Sequence, residues 1–195
     1  MRRPIKIVLV SLLLFLINTI AVVAQKEEAY QHIKSLKQSA LIVVLKTGSN
    51  KIASLEKSKQ TKKADDLKAQ YKKEQLEIVA AFYQYFSFCP VYFIYNTDLR
   101  QAKSGNFEGI LLNDSLQPDL SIQYSGAAYY FCSLGNIYFD TYDTTMEGIA
   151  IFDSSYTMLK DPFPYYLRKH YSLAFIHRTN EDLVKTFHEK IAEFD

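Results

Sequence analysis

The spacing of apolar positions changes several times along this chain, and each change predicts an element. Ile7 to Val23 is almost wholly apolar, broken only by Ser11, Asn18 and Thr19. After the charged run Lys26-Glu27-Glu28, the residues Tyr30, Ile33 and Leu36 stand three apart among polar neighbours. That spacing predicts a short amphipathic helix. Ala40 to Leu45 is short, continuously apolar and rich in β-branched residues, which predicts a strand buried on both faces. From Lys51 to Phe86 the period is helical. Ile52 and Leu55 form one pair, and Leu67, Tyr71, Ile78, Phe82 and Phe86 continue the stripe. Lys57 to Ala64 lacks large apolar residues, so this region is either one long helix or a hairpin of two. Pro90 to Tyr95 reads as a second strand, with proline at the position a strand tolerates best.

The C-terminal half predicts further strands. Gly109 to Leu112 is short, while Ala127 to Cys132, Ile137 to Phe139 and Gly148 to Phe152 are stronger. Tyr156 to Leu159 can return as a hairpin, ended by Asp161-Pro162-Phe163-Pro164 because neither proline donates to a ladder. Glu181 to Phe194 places Leu183, Val184, Phe187 and Ile191 at helical spacing. The expected class is α/β (mixed α+β): one βαβ unit, then antiparallel strands, then a C-terminal helix. A thioredoxin-like arrangement is one way to satisfy that order, by analogy alone.

Arg2, Arg3 and Lys6 precede the first apolar run, and Val22 and Ala24 put small side chains where a signal peptidase looks. Residues 1–24 therefore read as a cleavable signal peptide, with a retained anchor as the alternative. The expected working unit is one domain over residues 25–195, exported to the periplasm or beyond, with no membrane span once the signal is removed. Removal leaves 20 basic and 21 acidic side chains, so the +2 of the whole chain falls to −1. That balance argues against nucleic acid as a main partner, since phosphate binding needs a strong positive field. The charge is uneven: Lys46 to Glu77 carries +4, and Asp98 to Asp161 carries −6.

Ligands of open α/β sheets sit beyond the carboxyl ends of parallel strands. There the sequence offers Ser49 and Asn50 after the first strand, and Asp98 and Arg100 after the second, as candidates for a small anionic ligand. Each also suits helix capping or a solvated turn. Tyr165, Tyr166 and Arg168 form a candidate partner-binding patch, tyrosine and arginine being favoured at contact hot spots. Cys89 and Cys132 lie in strand-like apolar runs, and an exported chain permits a disulfide between them. Asp140, Asp143 and Glu147 resemble calcium-loop acids in spacing but lack the alternating order, so they read as turn acids. His170 and His177 flank an apolar stretch with no sequence reason to meet, and His32 and His188 sit on helix faces. No metal or cofactor is implied, and no catalytic motif is present.

Three segments carry a resemblance: Phe86 to Phe93, Gly109 to Asp114, and Asp161 to Arg168. Together they resemble a group of exported proteins of Bacteroidota-type bacteria to which no activity is assigned. The resemblance implies export and nothing about chemistry. The leading expectation is a non-catalytic binding or accessory module of the cell envelope, with an envelope protein or a small ligand as partner. The alternatives are an enzyme acting on a small anionic substrate at the strand ends, and a disulfide-stabilised structural protein.

Overall fold

The computed structural model describes residues 25–126, 128–140, 143–170 and 177–194. The signal-like segment 1–24 lies outside them. Residues 25–37 form α1, which buries Ala29, Ile33 and Leu36. Tyr30, expected on the buried face, is 54% exposed instead, its ring resting on Phe194 at 5.5 Å. Ala29 takes the inward position because residues 29, 33 and 36 share one face of a 3.6-residue helix.

The strand β1 (Ala40–Leu45) is buried at every position and lies at the centre of the parallel part of the sheet. Gly48, at φ 64°, turns the chain into α2 (Ser49–Lys57), which buries no residue. The polar stretch resolves as a break: Lys59 adopts φ 58°, and α3 (Thr61–Tyr85) starts anew. Its lower half buries Gln75, Ile78, Val79, Ala81 and Phe82. It leads into β2 (Val91–Tyr95), which pairs in parallel with β1, Val43 opposite Phe93. The βαβ unit is therefore present.

After α4 (Leu99–Lys103), a long connection crosses to the other side of β1. The predicted strand at Gly109 to Leu112 does not form. Ile110, Leu111 and Leu112 are buried, but only Leu112 reaches the sheet edge, donating its N–H to the Phe93 carbonyl at 2.9 Å. The two predicted strands at 127–132 and 137–139 are one, β3 (Tyr129–Phe139). It runs parallel to β1, against the expectation that only antiparallel strands follow the βαβ unit. The connection from β2 returns the chain to the start of the sheet, and a crossover of that length permits parallel pairing.

From there the sheet turns antiparallel through β4 (Thr144–Phe152) and β5 (Tyr166–Arg168), giving the order β2-β1-β3-β4-β5. A thioredoxin-like arrangement is not confirmed by this sheet. The hairpin expected at Tyr156 to Leu159 reduces to one bridge between Phe152 and Met158. The turn before it closes on the Asp153 carboxylate, which accepts N–H bonds from Ser155 and Thr157 at 2.9 and 2.8 Å.

Finally α5 (Asn180–Ala192) buries the four apolar residues its spacing predicted. Thr179 starts it with a reciprocal capping box: its hydroxyl accepts from Asp182 N–H, and the Asp182 carboxylate accepts from Thr179 N–H, both at 3.0 Å. Alternation along β1 divides the core. Leu41, Val43 and Leu45 face α1, α3 and α5, whereas Ala40, Ile42 and Val44 face α4 and the 104–126 connection. No helix among the described residues is long and apolar enough to cross a membrane.

Candidate functional site

Burying a polar side chain is unfavourable unless it is bonded, so buried polar groups mark places the fold holds deliberately. Among the described residues three polar side chains are buried: Ser39, Gln75 and Ser133. Ser39 closes α1 by donating to the Leu36 carbonyl. The other two converge on the end of β1. Gln75 of α3 donates to the Lys46 carbonyl at 2.7 Å, and Ser133 of β3 is hydrogen-bonded to the Tyr156 hydroxyl.

Lys46 is the residue immediately after β1 and is half-buried. Pairing of β1 with β3 ends at Val44–Ser133, so among the described residues no strand pairs with β3 on this side beyond that point. The Lys46 side chain fills the gap, its Nζ donating to the Asn136 carbonyl at 3.1 Å. Gly135 makes room for it. Its φ is 96°, and a Cβ there would lie 2.8 Å from Lys46 Nζ. Burial pushes the Lys46 amine below its ordinary pKa, against the opposing pull of Glu74 and Glu147.

Tyr156 supplies another wall. It adopts φ 65°, a left-handed conformation unfavourable for a bulky L residue. Packing holds it there: its ring stacks on Phe152 with centroids 4.4 Å apart and meets Phe131 edge-on at 5.4 Å. Between these walls lies a cavity of about 420 Å³, lined among others by Lys46, Ser133, Asn136, Tyr138, Asp140 and Tyr156. Its lining thus combines an amine, hydroxyls, a carboxylate and an amide with the apolar side chains of Phe152 and Met158. Such a mixture suits a small polar ligand with an apolar body.

The strand-end residues expected from sequence are placed differently. Ser49 and Asn50 are exposed in the first turn of α2, and neither caps it, because the N-cap is Gly48. Asp98 is half-buried at the N-cap of α4 without a capping bond, and Arg100 is exposed. Burial raises the Asp98 carboxyl, opposed by a bond with Thr97. The β1 and β2 loops are instead tied by Asn96, whose Oδ1 accepts from both the N–H and the hydroxyl of Thr47 at 2.9 Å. The crevice at those ends, about 240 Å³, is lined by Thr47, Lys68, Tyr71, Lys72 and Gln75 among others, and by none of the four expected residues.

Tyr165 and Tyr166 pack partly inward against the core, and Arg168 alone of that patch is exposed. Tyr166 donates to the Glu147 carbonyl at 3.2 Å and meets the Phe139 ring at 4.8 Å. The three candidate calcium-loop acids go to different partners. Asp140 lines the cavity, Asp143 accepts from Tyr138 at 2.7 Å, and Glu147 is a strand residue bound by Lys169 at 2.6 Å and His170 at 3.2 Å. His170 and His177 do meet, across an isolated antiparallel bridge with ring centroids 6.0 Å apart. His32 shares a hydrogen bond with the Tyr130 hydroxyl at 3.0 Å.

Burial would raise the Glu147 carboxyl, but Lys169 and His170 outweigh it and hold it below its ordinary value of 4.5. A carboxyl depressed by folding adds stability that is fully present above the ordinary pKa and is lost as pH falls through the folded value. Glu147→Gln should therefore flatten the fall in melting temperature below about pH 4.5 while changing the neutral-pH value less. An unchanged acid slope would show that this cluster does not couple to folding.

Cys89 and Cys132 are buried as free thiols. Burial pushes the Cys89 thiol up to about 12 and raises Cys132 well above its ordinary value. Thiolate, the reactive form, is therefore scarce in the folded state. A thiol reagent at pH 8 is expected to find no fast-reacting group in native protein and two after unfolding; none after unfolding would mean the bridge has formed.

Lys46, Ser133, Gln75 and Tyr156 escaped the sequence reading. For Lys46 the signal was present: a cation directly ending a buried strand, at an edge where ligands of such sheets bind. Set against protein-family models, curated proteins and solved structures, the chain matches none.

Proposed function

We propose that this protein is an exported binding module of the cell envelope, and that its ligand occupies the cavity between Lys46 and Tyr156. The signal-like residues 1–24 support export. One observation carries the binding reading. Bonded buried polar side chains and two left-handed backbone positions, Gly135 and Tyr156, converge on one half-buried amine beside a cavity. Backbone strain such as that at Tyr156 concentrates at functional sites. The ligand is small and polar without being strongly anionic. Asp140 shares the cavity wall, and Glu74 and Glu147 lie near enough to act on the amine. An added anion would meet those charges.

Thermal unfolding against neutral sugars, aldehydes, ketones, amino acids and phosphorylated small molecules tests this. A ligand at 100 times its dissociation constant adds about 2.7 kcal/mol, a rise of about 5–10 °C for a domain of this size. The rise is expected with an uncharged or zwitterionic ligand and should vanish in Lys46→Met and shrink in Tyr156→Phe. A shift that survives Lys46→Met would remove the cavity from the argument, and a phosphorylated ligand alone would overturn the charge reasoning.

A further inference from the structure

A binding cavity needs polar groups, but it does not need a primary amine that is half-buried and free of a carboxylate partner. Among the described residues, no carboxylate comes within ion-pair distance of Lys46; its Nζ donates instead to a carbonyl, Asn136 O. A buried ammonium is ordinarily paired. Here the fold leaves it unpaired, clears a Cβ from its path at Gly135 and aims it along a cavity wall. Ser133 and Tyr156 place two mutually bonded hydroxyls on the same cavity, and Asp140 adds a carboxylate.

We propose that Lys46 is a carbonyl-capturing residue, whose amine condenses with the aldehyde or ketone group of a small ligand seated in this cavity. The inference rests on the binding reading above and specifies its ligand class. The neutral amine adds its lone pair to the carbonyl carbon, forming the C–N bond. The carbonyl oxygen takes up a proton to give a carbinolamine. Loss of that oxygen as water leaves a protonated imine. Overall, ammonium and carbonyl give iminium and water, with no oxidant or reductant. The hydroxyl pair and Asp140 are the groups placed to move those protons. Burial favours the neutral amine needed for attack, as in other lysines that form such adducts. The charged groups acting on Lys46 are Glu74 from α3 and Glu147 from β4, and Asp140, beyond β3, shares the cavity lining. Glu74 and Glu147 favour the iminium once it has formed.

The test treats the full chain with limiting benzaldehyde and sodium cyanoborohydride at pH 7, then locates the benzyl groups by peptide mass spectrometry. Lys46 is expected to be labelled several times faster than the exposed lysines Lys51, Lys62 and Lys73. Lys46→Arg should abolish the fast event and leave the other sites unchanged. Asp140→Asn, which keeps the side chain's size, should slow it. Labelling of Lys46 no faster than of the exposed lysines overturns the proposal. If a Lys46-dependent rise in melting temperature is seen nonetheless, the cavity remains a reversible site and only capture fails. If neither is seen, both readings fail.

Discussion

Phe82→Ala is expected to destabilise the protein by about 3–5 kcal/mol, the range for deleting a buried phenylalanine ring. The melting temperature should fall by roughly 6–20 °C at 2–4 °C per kcal/mol for a domain of this size. Phe82 is fully buried on α3. Its ring meets Phe86 at 5.6 Å and Phe93 of β2 at 6.1 Å, and Phe86 in turn stacks on Phe187 of α5 at 6.2 Å. Together with Phe86 this ring links the βαβ helix, its strand and the C-terminal helix. The neighbours are fixed by strand pairing on one side and by α5 on the other, so they cannot collapse fully into the void. Leu76→Ala on the same helix is the control. Leu76 is 41% exposed, and its truncation should cost less than about 1 kcal/mol. Urea midpoints for the two variants decide the matter. Equal losses would mean that the α3–β2–α5 contact does not form the centre of the core.

Which parts of this fold were legible follows from the range of the interactions involved. The run Ala40 to Leu45, the stripe on α5 and the βαβ order depend on local period and on turn residues, and the sequence carries both. The parallel direction of β3 depends on where a long connection lands, which no local pattern encodes. β5 is three residues long and held by register against β4, so the inward packing of Tyr166 and of Tyr165 just before it depends on a pairing that no local pattern signals. The cavity failed to appear for a similar reason. Lys46, Ser133 and Tyr156 are far apart in the chain and are joined by strand register and by a backbone turn that tyrosine rarely adopts. The expectation that ligands gather at strand ends drew attention to the loops that follow β1 and β2. It chose the loop residues Ser49, Asn50, Asp98 and Arg100 because those carry familiar polar groups, and passed over the cation that ends the strand itself.

Gly148→Ala is expected to cost about 1–3 kcal/mol, as for overpacking at a fixed contact, and to loosen β5 in particular. Gly148 is flanked in register by Gly135 on β3 and Arg168 on β5. A Cβ at Gly148 would lie 2.3 Å from the Leu167 carbonyl oxygen and 2.7 Å from Cε2 of Tyr166. The carbonyl belongs to the neighbouring strand, so it cannot swing away as a side-chain tip could. Either β5 moves outward or β4 bends. Outward movement would break the Tyr166 bond to the Glu147 carbonyl and pull Lys169 and His170 from the Glu147 carboxylate. The sign of the effect is diagnostic. Gly148 does not adopt a positive φ, and an unstrained Gly→Ala change stabilises by about 0.4–1 kcal/mol through the unfolded chain. A stabilised variant would show that β4 and β5 do not approach this closely. Gly135→Ala separates sterics from strain. There the added Cβ meets only the mobile end of Lys46, but φ 96° makes alanine unfavourable by about 1–3 kcal/mol. Hydrogen exchange distinguishes the two. Gly148→Ala should speed exchange at residues 166–168 ahead of the rest of the sheet, whereas Gly135→Ala should leave β5 protected and instead alter the labelling of Lys46.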